Sequence, residues 1–382
     1  MKPYTIKDRA NTLLRSTAFS HGSASVIAIL SGLLFGFIIL LISNPSQAFD
    51  GFIIIMKGGF STGAKGIGQV LYFATPLILT GLSVGFAFKT GLFNIGAAGQ
   101  FVMGSFTAIF IGVRWTFLPA PWHWIVALIG AAAVGGLWAL IPGLLKAFFN
   151  VHEVISTIMM NYIGMYLANL LVKLTVYDSL KNLSMNTAET ATLPKGGLDN
   201  IFYNIRGGSG TIDLSTVNSG IYIAIGIAIL MYIVLNKTTF GYELKACGFN
   251  QNASRYAGIN EKRSVVLSMV IAGALAGLGG GLLYLSGANG RHLKVIDVLA
   301  MEGFNGIPVA LLGLSNPIGI IFSAIFISYI TQGGNYLQSM DFVTEVIDII
   351  IACIIYFSAF ALIIRGIIAK ILKSRKSEEG DL

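Results

Sequence analysis

Apolar residues run along this chain in long blocks, without the strict alternation of half-buried strands or the narrow stripe of a soluble helix. Blocks near 25–43, 67–88, 92–112, 122–142, 151–174, 219–235, 264–286 and 346–364 are each about as long as a membrane crossing requires. A hydrocarbon core about 30 Å thick is spanned by roughly 20 helical residues, so each block predicts a transmembrane helix. The stretch 303–332 reads as a short segment to about Gly313, a break at Ser315-Asn316-Pro317, and a second span. Backbone amides in lipid must be satisfied within their own segment, which favours helices, and no alternating ten-residue pattern suggests a barrel. The expected fold is an all-α polytopic membrane protein with about ten transmembrane helices.

Composition agrees with this pattern. Of the 382 residues, 55% are hydrophobic and 11% charged, where soluble domains carry roughly 25% charged residues. Lys2, Lys7, Arg9 and Arg15 precede the first span without a small-residue cleavage signature, so 1–24 reads as a retained cytosolic segment. The predicted transmembrane domain covers 25–365, and 366–382 is expected to form a cytosolic tail of mixed charge. With both ends inside, 16 of the 25 Lys and Arg fall on the inner face, as the positive-inside rule asks. The net charge of +8 follows from this asymmetry and suits anionic lipid. No basic face with interleaved aromatics lies outside the spans, which argues against nucleic acid as a partner. Cys247 and Cys353 alone cannot build a disulfide or metal framework.

Two connections are long enough to carry function. The outer one, near 175–218, is rich in turn formers such as Asn182, Asn186, Pro194, Gly196 and Gly197, and reads as a surface cap, serving as a spacer or a docking element. The inner one, near 236–263, has helix formers around Glu243–Ala246 and Ala253–Ala257, with Gly248 and Gly258 as expected stops. A helix there would expose Glu243, Lys245 and Arg255 and offer Ala246, Tyr256 and Ala257 to a partner's groove; a solvated linker is the alternative. Within the spans, Gly273, Gly277 and Gly281 repeat at four-residue spacing, as do Gly32/Gly36 and Gly81/Gly85. Such spacing lets helix backbones approach closely.

Polar residues inside the spans are costly and face a cavity or a neighbouring helix. Most are uncharged: Gln69, Thr75 and Thr80; Asn94 and Gln100; Thr157, Asn161 and Tyr162; Asn305, Ser323 and Ser328. Amides, hydroxyls and aromatic rings suit a neutral, hydrogen-bonding, ring-shaped solute, though each amide could equally tie two helices together. The runs Gly91–Gln100 and Gly303–Gly313 are hydrophobic segments broken by Gly or Pro near an Asn, one in each half of the chain. Paired broken segments point to a central site. Glu153 and Asp348 stand at the starts of spans, and so few titratable groups weaken a proton- or sodium-driven carrier. Catalytic templates fail: Ser156 stands where a zinc-protease pattern starting at His152-Glu153 needs its second histidine. Ala64-Lys65-Gly66 likewise breaks a phosphate-loop reading.

Four motifs carry a family resemblance. Gly91-Leu-Phe-Asn-Ile-Gly-Ala-Ala-Gly-Gln100, the run Asn150–Tyr162, the inner loop Gly241–Ile259 and the run Val309–Pro317 resemble the permease subunit of bacterial ABC importers of the branched-chain amino acid, simple sugar and nucleoside superfamily. The match covers about residues 25–365 and is most similar to the nucleoside branch. Ala98 departs from the acidic residue frequent at that position in relatives.

The resemblance implies a transport subunit that is not itself an enzyme and holds no cofactor, in a bacterial cytoplasmic membrane with both termini cytosolic. Its implied partners are an ABC ATPase subunit that binds ATP and Mg, a second homologous permease and an extracytoplasmic substrate-binding lipoprotein. Gly241–Ile259 would be the coupling helix, with Gly241, Glu243, Lys245, Gly248, Ala253, Arg255 and Gly258 on it. Asn94, Gln100, Asn161, Tyr162 and Asn305 would lie on or near the substrate path. The segment Gly287–Glu302, with Arg291, Lys294, Asp297 and Glu302, would be a gate helix or a contact for the binding protein. Import of a simple sugar such as ribose by the same machinery is the alternative, followed by a stand-alone carrier.

Overall fold

A computed structural model describes residues 17–205, 212–287, 291–340, 342, 344–360 and 363. Residues 1–16 of the predicted N-terminal segment and the whole 366–382 tail lie outside the described residues. The chain is helical nearly throughout, with helices α1 (Thr17–Ser43), α2 (Ala48–Lys57), α3 (Ala64–Lys89), α4 (Ala97–Arg114), α5 (Trp122–Phe149), α6 (Glu153–Thr175) and α7 (Gly220–Lys237) in its first part. The rest contributes α8 (Thr239–Phe249), α9 (Gln251–Tyr256), α10 (Glu261–Tyr284), α11 (Met301–Phe304), α12 (Gly306–Leu312), α13 (Pro317–Asn335) and α14 (Thr344–Ala359).

Among the described residues, seven helices are long and apolar enough to cross a membrane: α3 to α7, α10, and α13 with its 3-10 extension to Ser339. Two shorter apolar stretches, Ile29–Ser43 and Asp348–Phe357, lie in α1 and α14. Seven of the ten expected spans are met by length and composition among the described residues. Of the other three, the blocks near 25–43 and 346–364 fall in α1 and α14, whose described apolar stretches are shorter, and the segment from 303 divides into the short helices α11 and α12. The block starting at 92 becomes a helix only from Ala97, because residues 90–96 are non-helical. The connector before α3 adds α2, a short helix that hydropathy blocks did not mark.

Glycine placement explains how the centre packs. Helices α4, α5 and α10 meet on Gly104, Gly135, Gly273 and Gly277, each of which abuts backbone of a neighbouring helix so closely that a Cβ would collide. Small residues at such crossings replace the hydrophobic driving force that lipid cannot supply. The central helix α3 has 89% of its apolar window buried, whereas α7 has 28% and turns most of its surface outward. On α6, Ile155, Met159, Ile163, Tyr166, Leu170 and Leu174 form an exposed stripe at helical spacing.

The two ends of the bundle differ. At one end, residues 176–205 and 212–219 fold as a cap containing the hairpin β1 (Tyr177–Asp178) with β2 (Leu183–Ser184), and β3 (Tyr203–Ile205) paired with β4 (Ile212–Leu214). The cap is fastened rather than loose. Its Ala188 N–H donates to Gly112 O (2.9 Å), Leu193 N–H to Leu285 O (2.8 Å), and Thr216 Oγ1 to Gln69 Oε1 (2.8 Å). Lys195 donates to the carbonyls of Ser215 and Val217, and burial holds its ammonium below the usual lysine range, against the opposing pull of Asp199. At the other end lie the α5–α6 turn and the α8–α9 pair. That turn is closed by Asn150 in the left-handed region and by a Lys146–Glu153 ion pair of 2.9 Å.

Candidate functional site

Helices α8 and α9 form the first candidate site. Thr238 Oγ1 accepts from Gly241 N–H (3.1 Å) and Asn250 Oδ1 from Ala253 N–H (3.0 Å), so each helix starts on a side-chain cap. Gly248 was expected to stop the helix, but α8 continues to Phe249. The structure uses this glycine for contact instead: a Cβ there would meet Lys89 O at 2.6 Å and Gly91 N at 2.9 Å. The pair is thereby seated on the turn between α3 and α4. Gly258, at φ +81, does end the second helix region.

Gly241, Leu244, Cys247 and Ser254 face inward, while Tyr242, Phe249 and Tyr256 are 70%, 91% and 95% exposed. Three bare aromatic rings on one small element are unusual for a surface that meets only water. A cavity of about 540 Å³ lies between the two helices, lined by residues that include Tyr242, Glu243, Ala246, Phe249 and Ala253. Glu243, Arg255 and Ala253 are exposed, and Lys245 is half-buried, reaching Asn236 at 3.5 Å. Sequence reasoning singled out Tyr256 but missed Tyr242 and Phe249; their signal is aromatic side chains within a cytosolic-type loop.

The second candidate site is the set of amides inside the bundle. Asn94 Nδ2 donates to Gln100 Oε1 (2.9 Å) and Gln100 Nε2 returns to Asn94 Oδ1 (3.0 Å), while Asn94 also reaches Ser83 Oγ (3.1 Å). Asn161 Oδ1 accepts from Gly99 N–H (2.8 Å), and its Nδ2 donates to Ile95 O (3.0 Å). Asn94, Gln100 and Asn161 are all at most 1% exposed. The arrangement satisfies one of the four free N–H groups at the start of α4 and fastens the non-helical 90–96 turn to α3 and α6. Asn305 and Tyr162 do not join them. Asn305, half-buried between α11 and α12, and Tyr162, on the exposed face of α6, have no side-chain hydrogen-bond partner among the described residues.

Ala98 belongs to the same region. The α11 backbone at Gly303 lies directly against Ala98, closely enough that a Cβ on Gly303 would clash. A longer acidic side chain at 98 would have to displace α11. Ser323 and Ser328 serve as ties, donating to Val309 O and Val70 O at 2.7 Å each.

Of the segment Gly287–Glu302, expected as a gate helix or a contact for the binding protein, residues 291–300 are not helical and Met301 and Glu302 belong to α11, while 288–290 lie outside the described residues. Residues 291–300 are extended or bent, with Leu183 and Lys294 forming a β-bridge and Ser184 N–H donating to Leu293 O (2.9 Å). Its backbone groups are claimed by the cap, which is why it does not coil. Arg291 and Glu302 pair at 2.6 Å, and Asn169 of α6 holds Asp297 at 2.9 Å. Lys294 and Asp297 are exposed.

Comparison with known proteins adds a family. Residues 66–359 match the family described as branched-chain amino acid transport system / permease component. The chain is 39% identical over 355 residues to the guanosine ABC transporter permease protein NupP of Bacillus subtilis, covering 93% of this chain and 97% of that protein. It is 36% identical over 356 residues to the nucleoside ABC transporter permease protein NupB of Lactococcus lactis, covering 92% and 94%. A second guanosine permease protein of Bacillus subtilis, NupQ, is 27% identical over 270 residues, covering 68% of this chain and 78% of that protein. No solved structure matches the chain.

Proposed function

Because this chain belongs to the branched-chain amino acid transport system / permease component family, we propose that it is the membrane-spanning permease of an ATP-driven importer of nucleosides. The observation that carries the reading is the α8–α9 pair: a seated, capped element that bares Tyr242 and Phe249 at a cavity and Tyr256 beside them on the same element. Nearly full-length similarity to permeases named for guanosine and nucleosides supports the solute class.

In this reading ATP and Mg are handled by a separate ATPase subunit, and this chain passes on the motion. The α8–α9 end faces the cytosol with both termini, and the cap faces outward toward a substrate-binding lipoprotein. The occurrence of two guanosine permease proteins in one relative's organism supports a second, homologous permease as companion. Gly241 and Gly248 seat the coupling element on the bundle, and Gly258 ends it. Glu243, Lys245, Ala253 and Arg255 lie on or beside its contact surface, with the three aromatics as anchors in the ATPase cleft. Buried aromatic anchors dominate interface energetics, and a rigid seat lets a push on α8 reach the α3–α4 turn. Of the path candidates, Asn94, Gln100 and Asn161 brace that turn, while Asn305 and Tyr162 keep groups free for solute or companion.

The test is uptake in cells that hold the complete transporter. Replacing Tyr242, Phe249 and Tyr256 together by Ala is expected to leave membrane insertion intact. Nucleoside uptake should fall at least about a hundredfold, as loss of more than 2.7 kcal/mol of anchoring implies. Undiminished uptake in that variant removes the coupling assignment. Accumulation of nucleoside against a gradient by the purified chain alone removes the ATP-driven reading.

A further inference from the structure

A second cavity, also of about 540 Å³, opens beside the extended 291–300 segment, between it and helices α4, α6 and α10. Cavities of about 300–1,000 Å³ are the usual size for small-molecule sites. Its walls include Val102, Met165, Asn169, Tyr284, Arg291 and Glu302. The polar groups nearby divide into those already satisfied and those not. Tyr72, just behind, shares its hydroxyl with Ser286 Oγ (2.8 Å) and Leu283 O (2.9 Å). Tyr284, by contrast, is half-buried and its hydroxyl has no hydrogen-bond partner among the described residues. Asn169 spends its amide hydrogens on Ile296 O and Asp297 Oδ1, both at 2.9 Å, which leaves its carbonyl oxygen as an acceptor.

Arg291 and Glu302 on the cavity wall are matched, while His292 and Lys294 of the same wall have no ion pair among the described residues. Arg291 is held by Glu302 at 2.6 Å and lies 4.8 Å over the Phe73 ring, so the guanidinium is engaged on two sides. A phosphate would have to compete with Glu302 for it. What remains for a visitor is the Tyr284 hydroxyl, the Asn169 acceptor, the second oxygen of Glu302 and the side chains of His292 and Lys294. Alongside them stand the Tyr284 ring and the Met165 thioether as apolar faces. That set fits a solute with a flat ring and several hydrogen-bonding edges.

We propose that this cavity is the receiving site for one neutral nucleoside on the outward side of the permease, with Tyr284, Asn169 and Glu302 as its polar contacts. The proposal rests on the nucleoside reading of the preceding subsection.

The test uses the complete transporter in cells for uptake, and the purified full chain in lipid nanodiscs for photolabelling with 8-azidoguanosine. Label is expected within 165–169, 284–287 or 291–302, competed by guanosine and not by ribose. Tyr284→Phe and Asn169→Leu are each expected to lower uptake about tenfold, the loss of one hydrogen bond to the solute, with insertion unchanged. If either variant fails to insert, Val298→Trp at the exposed rim supplies the same reading by narrowing the mouth, with an uptake loss again expected. Wild-type uptake together with unchanged variants and label elsewhere overturns this inference and leaves the nucleoside permease standing. Competition by ribose as strong as by guanosine overturns the assigned solute class. Absence of any nucleoside uptake by the unmodified transporter overturns the functional reading, and this site with it.

Discussion

Two groups of polar side chains lie within the helical bundle, and they differ in where their hydrogen bonds go. Around Asn94, Gln100 and Asn161 each amide meets a partner from the same chain, in a space closed to solvent. Beside the 291–300 segment, Tyr284 and Asn169 border a cavity with polar atoms left over. A buried hydrogen bond contributes about 0.5–1.5 kcal/mol net, while a stranded buried donor or acceptor costs about 1–3 kcal/mol. The first group therefore holds the fold together, and the second group has capacity to hold something else. Polarity in a membrane helix marks a site only when its bonds are not already taken.

The largest expected effect is that of Asn161→Leu, which strands both Gly99 N–H and Ile95 O. At about 1–3 kcal/mol for each stranded group, thermal unfolding of the purified chain in detergent should move well below that of the wild type. An unshifted midpoint would show that the brace is dispensable. Next comes the reciprocal pair. Asn94→Leu and Gln100→Leu should each destabilise by about 1–3 kcal/mol, and the double variant by at least about 0.5 kcal/mol less than the two combined, because they break the same bonds. Strict additivity in that cycle would mean the two amides act independently. The smallest effect is expected for Tyr284→Phe, whose stability should stay within about 0.5 kcal/mol of wild type, since its hydroxyl has no hydrogen-bond partner among the described residues. Destabilisation comparable to that of Asn161→Leu would erase the distinction between the two regions.

The helical, membrane-spanning character was legible because apolar length is a local property. Nearly every predicted block contains an observed helix, and the break at Ser315-Asn316-Pro317 is where Asn316 caps α13 at Ile318 N–H (3.0 Å). The inner-loop helices were legible for the same reason, through propensity and caps. What misled was a residue's ambiguity between two uses. Gly248 reads as a helix stop, yet it serves close approach to Lys89 and Gly91. Gly287–Glu302 contains charges at gate-like positions, yet its backbone is claimed by Ser184 and Leu183 from more than a hundred residues earlier. No local pattern reports a pairing at that separation.

The amides show the same limit at the candidate site. Asn94, Gln100, Asn161 and Asn305 are alike as polar residues in apolar runs, and the sequence leaves them as equal candidates for path or brace. Distance separates them: Asn94, Gln100 and Asn161 are bonded where the 90–96 turn meets α3, α4 and α6, and Asn305 has no side-chain hydrogen bond among the described residues.

By itself the amino-acid sequence determined that this chain lies in a membrane as helices, where its polar interruptions fall, and which element projects from the bundle. Those follow from hydropathy, segment length and capping, which act over a few turns of chain. Only the tertiary structure decided which polar groups are spent on one another and which remain available. A hydrogen bond depends on two atoms meeting within about 3 Å, and helices far apart in sequence are brought to that distance by packing on glycine.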